Sequence, residues 1–287
     1  GTFLVRSGVI TSVHAFAQDP ARGLFILVIL AAALGGSFAL FAWRAPSLNP
    51  SGLFAPISRE SALVLNNLFL AAGAGAVLIG TLYPLALSVI TGGSVSVGPP
   101  WYIATFVPLM VPMVVLMAVG PLLGWKRGNL PGALQRLAVA GVLALLVAGY
   151  TFSRETGGSV LAPLGVALGV WLFLGTLVEW TERVKLFRAK PRENWNRARH
   201  LPRAAYGMTF AHLGLAVAIV GMTGSSAWKS ESVKAMQLGD TVTMGDFTYR
   251  FDSIAAVKGA NYLAERASFS VTRDGKPYTV LHPERRR

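Results

Sequence analysis

The sequence predicts an all-α polytopic membrane protein with a small β-rich periplasmic domain at its C-terminal end. Three observations predict it. Only 14% of the 287 residues are charged while 53% are hydrophobic, and the mean hydropathy is +0.52; soluble domains carry about a quarter charged residues. The apolar residues gather in charge-free runs of about twenty, the length that crosses a bilayer core as a helix. After Trp228 the pattern changes to alternation of polar with apolar or aromatic residues, the period of a strand. The expected organisation is therefore a helical bundle over 1–228 followed by a β-rich domain over 229–287.

Taken in order, the full spans fall near 23–43, 63–90, 101–125, 137–152, 160–180 and 206–228, and a further helix ends near Val5. Asp19-Pro20 gives the first full span an N-cap followed by proline at the first helical position. Trp43, Trp101, Trp125, Trp180 and Trp228 mark span edges, where aromatic rings sit at the lipid–water interface. Pro108, Pro112 and Pro121 offer kinks in the third span. Gly35, Gly36, Gly73, Gly75 and Gly80 are read as permitting close helix packing. In the tail, 241–251 and 268–281 read as strands, and Asp274-Gly275 is a strong hairpin turn.

The net charge of +13 raises the question of nucleic acid, but its position answers it. Between 181 and 205 lie eight basic residues against Glu182 and Glu193. A basic loop between two spans is what topology demands of a cytoplasmic connection, with anionic lipid or a partner as the alternative. The loops at 44–62 and 126–136 are also basic, whereas 91–100 is uncharged and 153–159 carries one Arg154–Glu155 pair. The basic side is thus expected to be cytoplasmic. His14 and the tail after Trp228 are expected in the periplasm. No nucleic-acid partner is expected.

No cysteine occurs, which removes disulfides, thiolate metal sites and thiol exchange from this sequence. Paired carboxylates, an HExxH metal motif, a nucleophile elbow and a phosphate-cradling loop are also missing. Glu179 reads as an interfacial charge paired with Arg183 one turn on. The sequence starts inside an apolar stretch and stops after a strand-like run, so it is expected to be a piece of a longer polypeptide.

The histidines are the candidate chemistry. His200 falls in the basic loop and His282 in the tail, and both read as surface residues. His212 sits in YGMTFAHLGLAVAIVG, six residues after Tyr206, about 9 Å inside the membrane edge at the helical rise. It is either an interhelical hydrogen-bonding group or a haem ligand; Gly207, Ala211 and Gly214 leave room beside it for a helix or a flat cofactor. His14 is either an interfacial residue or a ligand at the opposite membrane face. Two imidazoles at opposite faces cannot share one iron.

Three segments carry a resemblance: GTFLVRSGVITSVHAFAQDPARGLFILV, LNNLFLAAGAGAVLIGTLYPL and GMTFAHLGLAVAIVG, with the tail TVTMGDFTYRF…VTRDGKPYTVL. Together they are similar to the CcmF/NrfE family of cytochrome c-type biogenesis proteins, over nearly all of the chain. The resemblance implies a haem lyase subunit that joins haem to apocytochrome c in the periplasm. It implies two periplasmic histidines around the transferred haem, one matched by His14, and two membrane histidines on a resident haem b, one matched by His212. Arg6 lies at the same edge as His14, where it either pairs with a haem propionate or anchors the helix at the interface. The family's tryptophan-rich WWD segment and its other two histidines have no counterpart in this sequence, as expected for a C-terminal portion. Implied partners are the haem chaperone CcmE, CcmH and CcmI-type subunits that handle apocytochrome c, apocytochrome c itself and membrane lipid. The competing readings are a transporter and a structural assembly subunit, each without bound haem. The first lacks the mid-span acids and internal repeats that such proteins use.

Overall fold

A computed structural model describes residues 3, 19–48, 52–93, 95, 97–154, 161–186, 188–229 and 231–286. The chain divides into two units, Gly1–Arg154 with Pro163–Ile219 and Glu155–Ala162 with Val220–Arg287. Among the described residues, six helices are long and apolar enough to cross a membrane. With the antiparallel sheet that follows them, they make the chain a polytopic membrane protein with a small β domain.

Three of the helices start on a side chain that accepts from a free N–H group of the first turn. Helix α1 (Pro20–Arg44) opens on Asp19, which accepts from the Arg22 N–H at 3.1 Å, with Pro20 in the first turn. Helix α2 (Arg59–Thr91) is capped by Ser58, which accepts from the Ser61 N–H at 3.2 Å, and ends at Gly92 with φ 68°. Helix α3 (Pro99–Val119) contains Pro108 and Pro112. Helix α4 (Leu130–Arg154) is capped by Asn129, whose side chain accepts from the Gly132 N–H at 3.0 Å. Helices α5 (Leu161–Val184), α6 (Pro191–Arg199) and α7 (Arg203–Ala227) complete the set.

Two boundaries and one added helix depart from the expected organisation, each for a local reason. Helix α3 stops at Val119 and tightens into a 3₁₀ turn, Gly120–Leu122, around Pro121. Trp125 therefore lies in the loop, with the Arg59 guanidinium 5.3 Å from its ring centre. Helix α4 begins at Leu130 rather than near 137, so Arg136 belongs to the helix. Its guanidinium donates to Gly132 O and Leu122 O, each at 3.0 Å, and pairs with Glu182 at 3.5 Å. Within the basic loop the sequence reading placed no element, yet α6 forms there, started by Pro191 and carrying Arg197 and Arg199 in its last turn.

The three basic loops share one end of the bundle. Ala55 N donates to Lys126 O at 2.8 Å, Arg59 N to Gly124 O at 3.0 Å and Gly128 N to Ile57 O at 2.7 Å. The Glu60 carboxylate accepts from Lys126 N at 2.8 Å. Arg136 and Glu182 tie in the third loop.

Packing centres on α3 and α5. Met113, Val114, Leu172 and Ala216 form one buried cluster, and Val119, Leu123, Ala133 and Leu137 another. Gly73 and Gly80 are buried on α2, and a Cβ at Gly80 would lie 2.6 Å from the Trp101 indole nitrogen, so glycine permits the α2–α3 approach. A Cβ at Gly35, Gly36 or Gly75 would meet nothing within 4 Å, so close packing does not explain these glycines among the described residues. Of the described residues of α1, only Gly23 is buried, so none of its described side chains is.

In the second unit the strands are β1 (Thr241–Met244), β2 (Phe247–Lys258), β3 (Leu263–Arg273), β4 (Lys276–Leu281) and β5 (Glu284–Arg286). They form one antiparallel sheet in the order β1-β2-β3-β4, with β5 pairing the other end of β3. Asp274 and Gly275 both take positive φ, 49° and 76°, the requirement of a two-residue type I′ hairpin. The stretch 241–251, read from sequence as a single strand, turns at Gly245-Asp246, where Gly245 has φ 58°. Asp252 is the extra residue of a bulge between Phe251 and Ser253.

Candidate functional site

His212 is half-buried on α7 and lines a cavity of about 190 Å³ between α2, α3 and α7. The cavity wall is mostly apolar. Phe69, Leu63, Leu116, Met113, Met117 and Met208 supply it, Met208 lying one helical turn before His212. Two polar groups interrupt that wall, Asn66 and Arg59, both on α2. Arg59 is the first residue of α2, at the basic end of the bundle, and lines the cavity there.

On another side, His212 lines a narrow cleft with Met117, Thr176, Glu179 and Met208. Glu179 comes from α5 and is only 3% exposed. Arg183 donates its Nε–H to Glu179 Oε1. Glu179 Oε2 is buried with no hydrogen-bond partner among the described residues. The pairing with Arg183 agrees with the sequence reading, while the interfacial exposure does not: the carboxylate is interior. Its burial follows from the position of Gly175 one turn earlier. A Cβ there would lie 2.6 Å from the Ala118 Cβ, so α5 and α3 meet closely at this level.

Of the residues singled out in the sequence, His212 has a site around it, while His14 and Arg6 lie outside the described residues. His200 Nδ1 is 2.7 Å from Asn196 O, and His282 Nδ1 is 2.9 Å from Ser268 Oγ; both residues are exposed. Among the described residues, no group of three His, Asp or Glu side chains comes together to hold a bare metal ion. Sequence reasoning did not select Arg59, Asn66 or the methionines. Met208 was findable, four residues before His212 on the same face. Asn66 was findable too, as a polar residue inside a charge-free run. Arg59 carried no signal, because it read as an ordinary loop cation.

The donor set fits one wall of a haem site. A neutral imidazole suits iron, thioethers and aliphatic groups suit a porphyrin face, and a guanidinium at the edge suits a carboxylate. At about 190 Å³ the cavity is smaller than the roughly 300–1,000 Å³ of complete small-molecule sites.

The fold and this cavity define a class, a polytopic helical membrane protein with an intramembrane imidazole and a C-terminal β domain. Comparison with known proteins narrows it. Residues 227–287 match the family described as the CcmF C-terminal beta-sandwich. The chain is 47% identical to the cytochrome c-type biogenesis protein CycK of Rhizobium meliloti (strain 1021), covering 100% of this chain and 42% of that protein. It is 48% identical to CycK of Bradyrhizobium diazoefficiens, covering 100% and 43%. A solved structure, the cytochrome c haem lyase CcmF, shares the fold with a TM-score of 0.58 and 23% identity, over 96% of this chain and 43% of that one. Along its whole length the chain is similar to part of the CcmF and CycK cytochrome c-type biogenesis proteins, and its residues 227–287 match their C-terminal beta-sandwich. It spans less than half the length of the curated relatives it matches.

Proposed function

We propose that the chain is the C-terminal portion of a haem lyase subunit, one that presents haem for covalent attachment to apocytochrome c and holds a second haem b in the membrane. The observation that carries this reading is the similarity of the whole of this chain to part of the CycK and CcmF proteins, joined to an intramembrane imidazole on an apolar, thioether-lined wall.

The roles divide by membrane face. His212 would hold the resident haem b through its imidazole, and Arg59, which lines the same cavity, would pair with a carboxylate of it. When bound, such a haem supplies one-electron redox capacity inside the bilayer. His14 is an axial ligand of the transferred haem, which is the substrate, at the periplasmic face. Arg6 pairs with a propionate of that substrate. Ligation at His14 fixes the iron and leaves the vinyl groups exposed to the incoming polypeptide. Each apocytochrome cysteine then adds its thiol across a vinyl double bond: a C–S bond forms and the proton passes to the terminal vinyl carbon. A thiolate is the stronger nucleophile, so positioning is the chain's main contribution.

The orientation puts the basic end in the cytoplasm of the bacterial inner membrane and the β domain in the periplasm, as the distribution of Lys and Arg favours. On that side stand the partners of the reading: the haem chaperone CcmE, CcmH and CcmI-type subunits, and apocytochrome c.

Two variants of the complete protein test the sites separately. His14→Ala should abolish cytochrome c maturation without supplied imidazole; normal maturation would remove His14 from the reaction. His212→Ala should strip the b-type spectrum and the pyridine haemochrome from purified protein. An unchanged spectrum would exclude His212 as a ligand.

A further inference from the structure

We infer that Glu179 is the positioning residue of the His212 imidazole, accepting a hydrogen bond from one ring nitrogen while the other serves the cavity. The inference rests on the reading of His212 as a haem ligand and extends it to a residue on a different helix.

Three observations carry it. First, His212 lines both spaces, the larger cavity toward α2 and the narrow cleft toward α5. An imidazole has two nitrogens, and a ligating histidine normally donates its second N–H to a carboxylate or carbonyl, which fixes tautomer and ring orientation. Second, Glu179 has one satisfied oxygen and one orphan. Oε1 accepts from Arg183, whereas Oε2 is buried without a partner among the described residues. A buried carboxylate oxygen left unpaired is strongly unfavourable, so a donor is required.

Third, the cleft offers few donors. Apart from His212, the hydroxyl of Thr176 is the other side-chain donor that lines it. That hydroxyl donates to Leu172 O at 2.7 Å along its own helix. Met117 and Met208 present sulfur, which accepts and does not donate. Among the side chains lining the cleft, the imidazole N–H is the donor that remains for Oε2, which it does not reach in this structure. Arg183, in turn, holds the carboxylate from the opposite oxygen, so the relay runs from Arg183 to Glu179 to His212.

The test uses the complete protein purified with its haem and compares Glu179→Gln, Glu179→Leu and His212→Ala. The readouts are the midpoint potential, the ferric electron paramagnetic resonance spectrum and haem affinity. Glu179→Leu should lower haem affinity about 10–100-fold, as for other residues that orient a metal ligand. It should also shift the potential positive, because the imidazole loses an anionic acceptor. Glu179→Gln keeps an acceptor oxygen without the charge and should shift the potential in the same direction by less. Should Glu179→Leu fail to accumulate, the isosteric Gln variant decides alone. A potential and resonance spectrum unmoved in Glu179→Gln, even with lowered thermal stability, would leave a purely structural ion pair and overturn the inference. His212→Ala keeps the two failures apart. If that variant retains the parent spectrum, the ligand reading itself has failed. If it loses the haem while Glu179→Gln changes nothing, only the positioning role is gone.

Discussion

Lowered carboxyl pKa values in the β domain make its stability depend on pH. Asp252, the bulge residue of β2, accepts from Ser270 Oγ at 2.5 Å and from Arg250 Nε at 2.7 Å. The Ser270 hydrogen bond and then the Arg250 one hold its carboxyl below the ordinary carboxylate range. Glu284 is held low likewise, first by Arg266 at 2.7 Å and then by Arg286 at 3.0 Å. A carboxyl with a lowered folded value binds fewer protons in the native state than in the unfolded chain. Its contribution is therefore complete above the ordinary range, near pH 4, and is lost as pH falls through that range toward the lowered native value. The second unit should unfold more readily in denaturant at pH 3 than at pH 6, followed by tyrosine fluorescence in the full chain. Asp252→Asn should flatten part of that slope, and a slope unchanged by the substitution would show that Asp252 contributes none of it.

At the scale of elements, close packing of α3 and α5 depends on Gly175. Alanine in place of glycine in a helix interior gains about 1 kcal/mol of propensity. Overpacking a close contact costs about 1–3 kcal/mol. At Gly175 the added methyl would sit 2.6 Å from the Ala118 Cβ, which has no rotamer to retreat into, so overpacking should win. Gly175→Ala should lower the melting temperature in detergent, whereas Gly149→Ala, whose methyl meets nothing within 4 Å, should leave it level or raise it slightly. The spans themselves were legible because a helix in lipid must satisfy its backbone internally and must stay apolar for about twenty residues. Their ends were less legible. Pro121 stopped α3 early, and Asn129 started α4 within a segment that charge alone marked as loop. The I′ hairpin at Asp274-Gly275 could be read from its dipeptide, but the turn at Gly245-Asp246 was hidden inside an alternating run that looked like one continuous strand.

At the scale of the whole molecule, the orientation proposed above rests on where the cations sit, and the absence of cysteine from this sequence makes it testable. Backbone bonds between 55–59 and 124–128, together with the Arg136–Glu182 pair, gather the basic loops at one end. A positive end is retained in the cytoplasm. His212 was legible from the sequence as a lone intramembrane imidazole, but the residues around it were not, since Arg59, Asn66 and Glu179 come from α2 and α5, far from it in the chain. In a cysteine-free form of the complete protein, Arg192→Cys on α6 and Thr279→Cys on β4, both exposed positions, probe the two sides. A membrane-impermeant maleimide added to intact spheroplasts should label Thr279→Cys and spare Arg192→Cys until the membrane is opened. Labelling in the reverse order would invert the topology. It would move His212 to the periplasmic side and, with it, take away the cytoplasmic placement of the haem b proposed at that histidine.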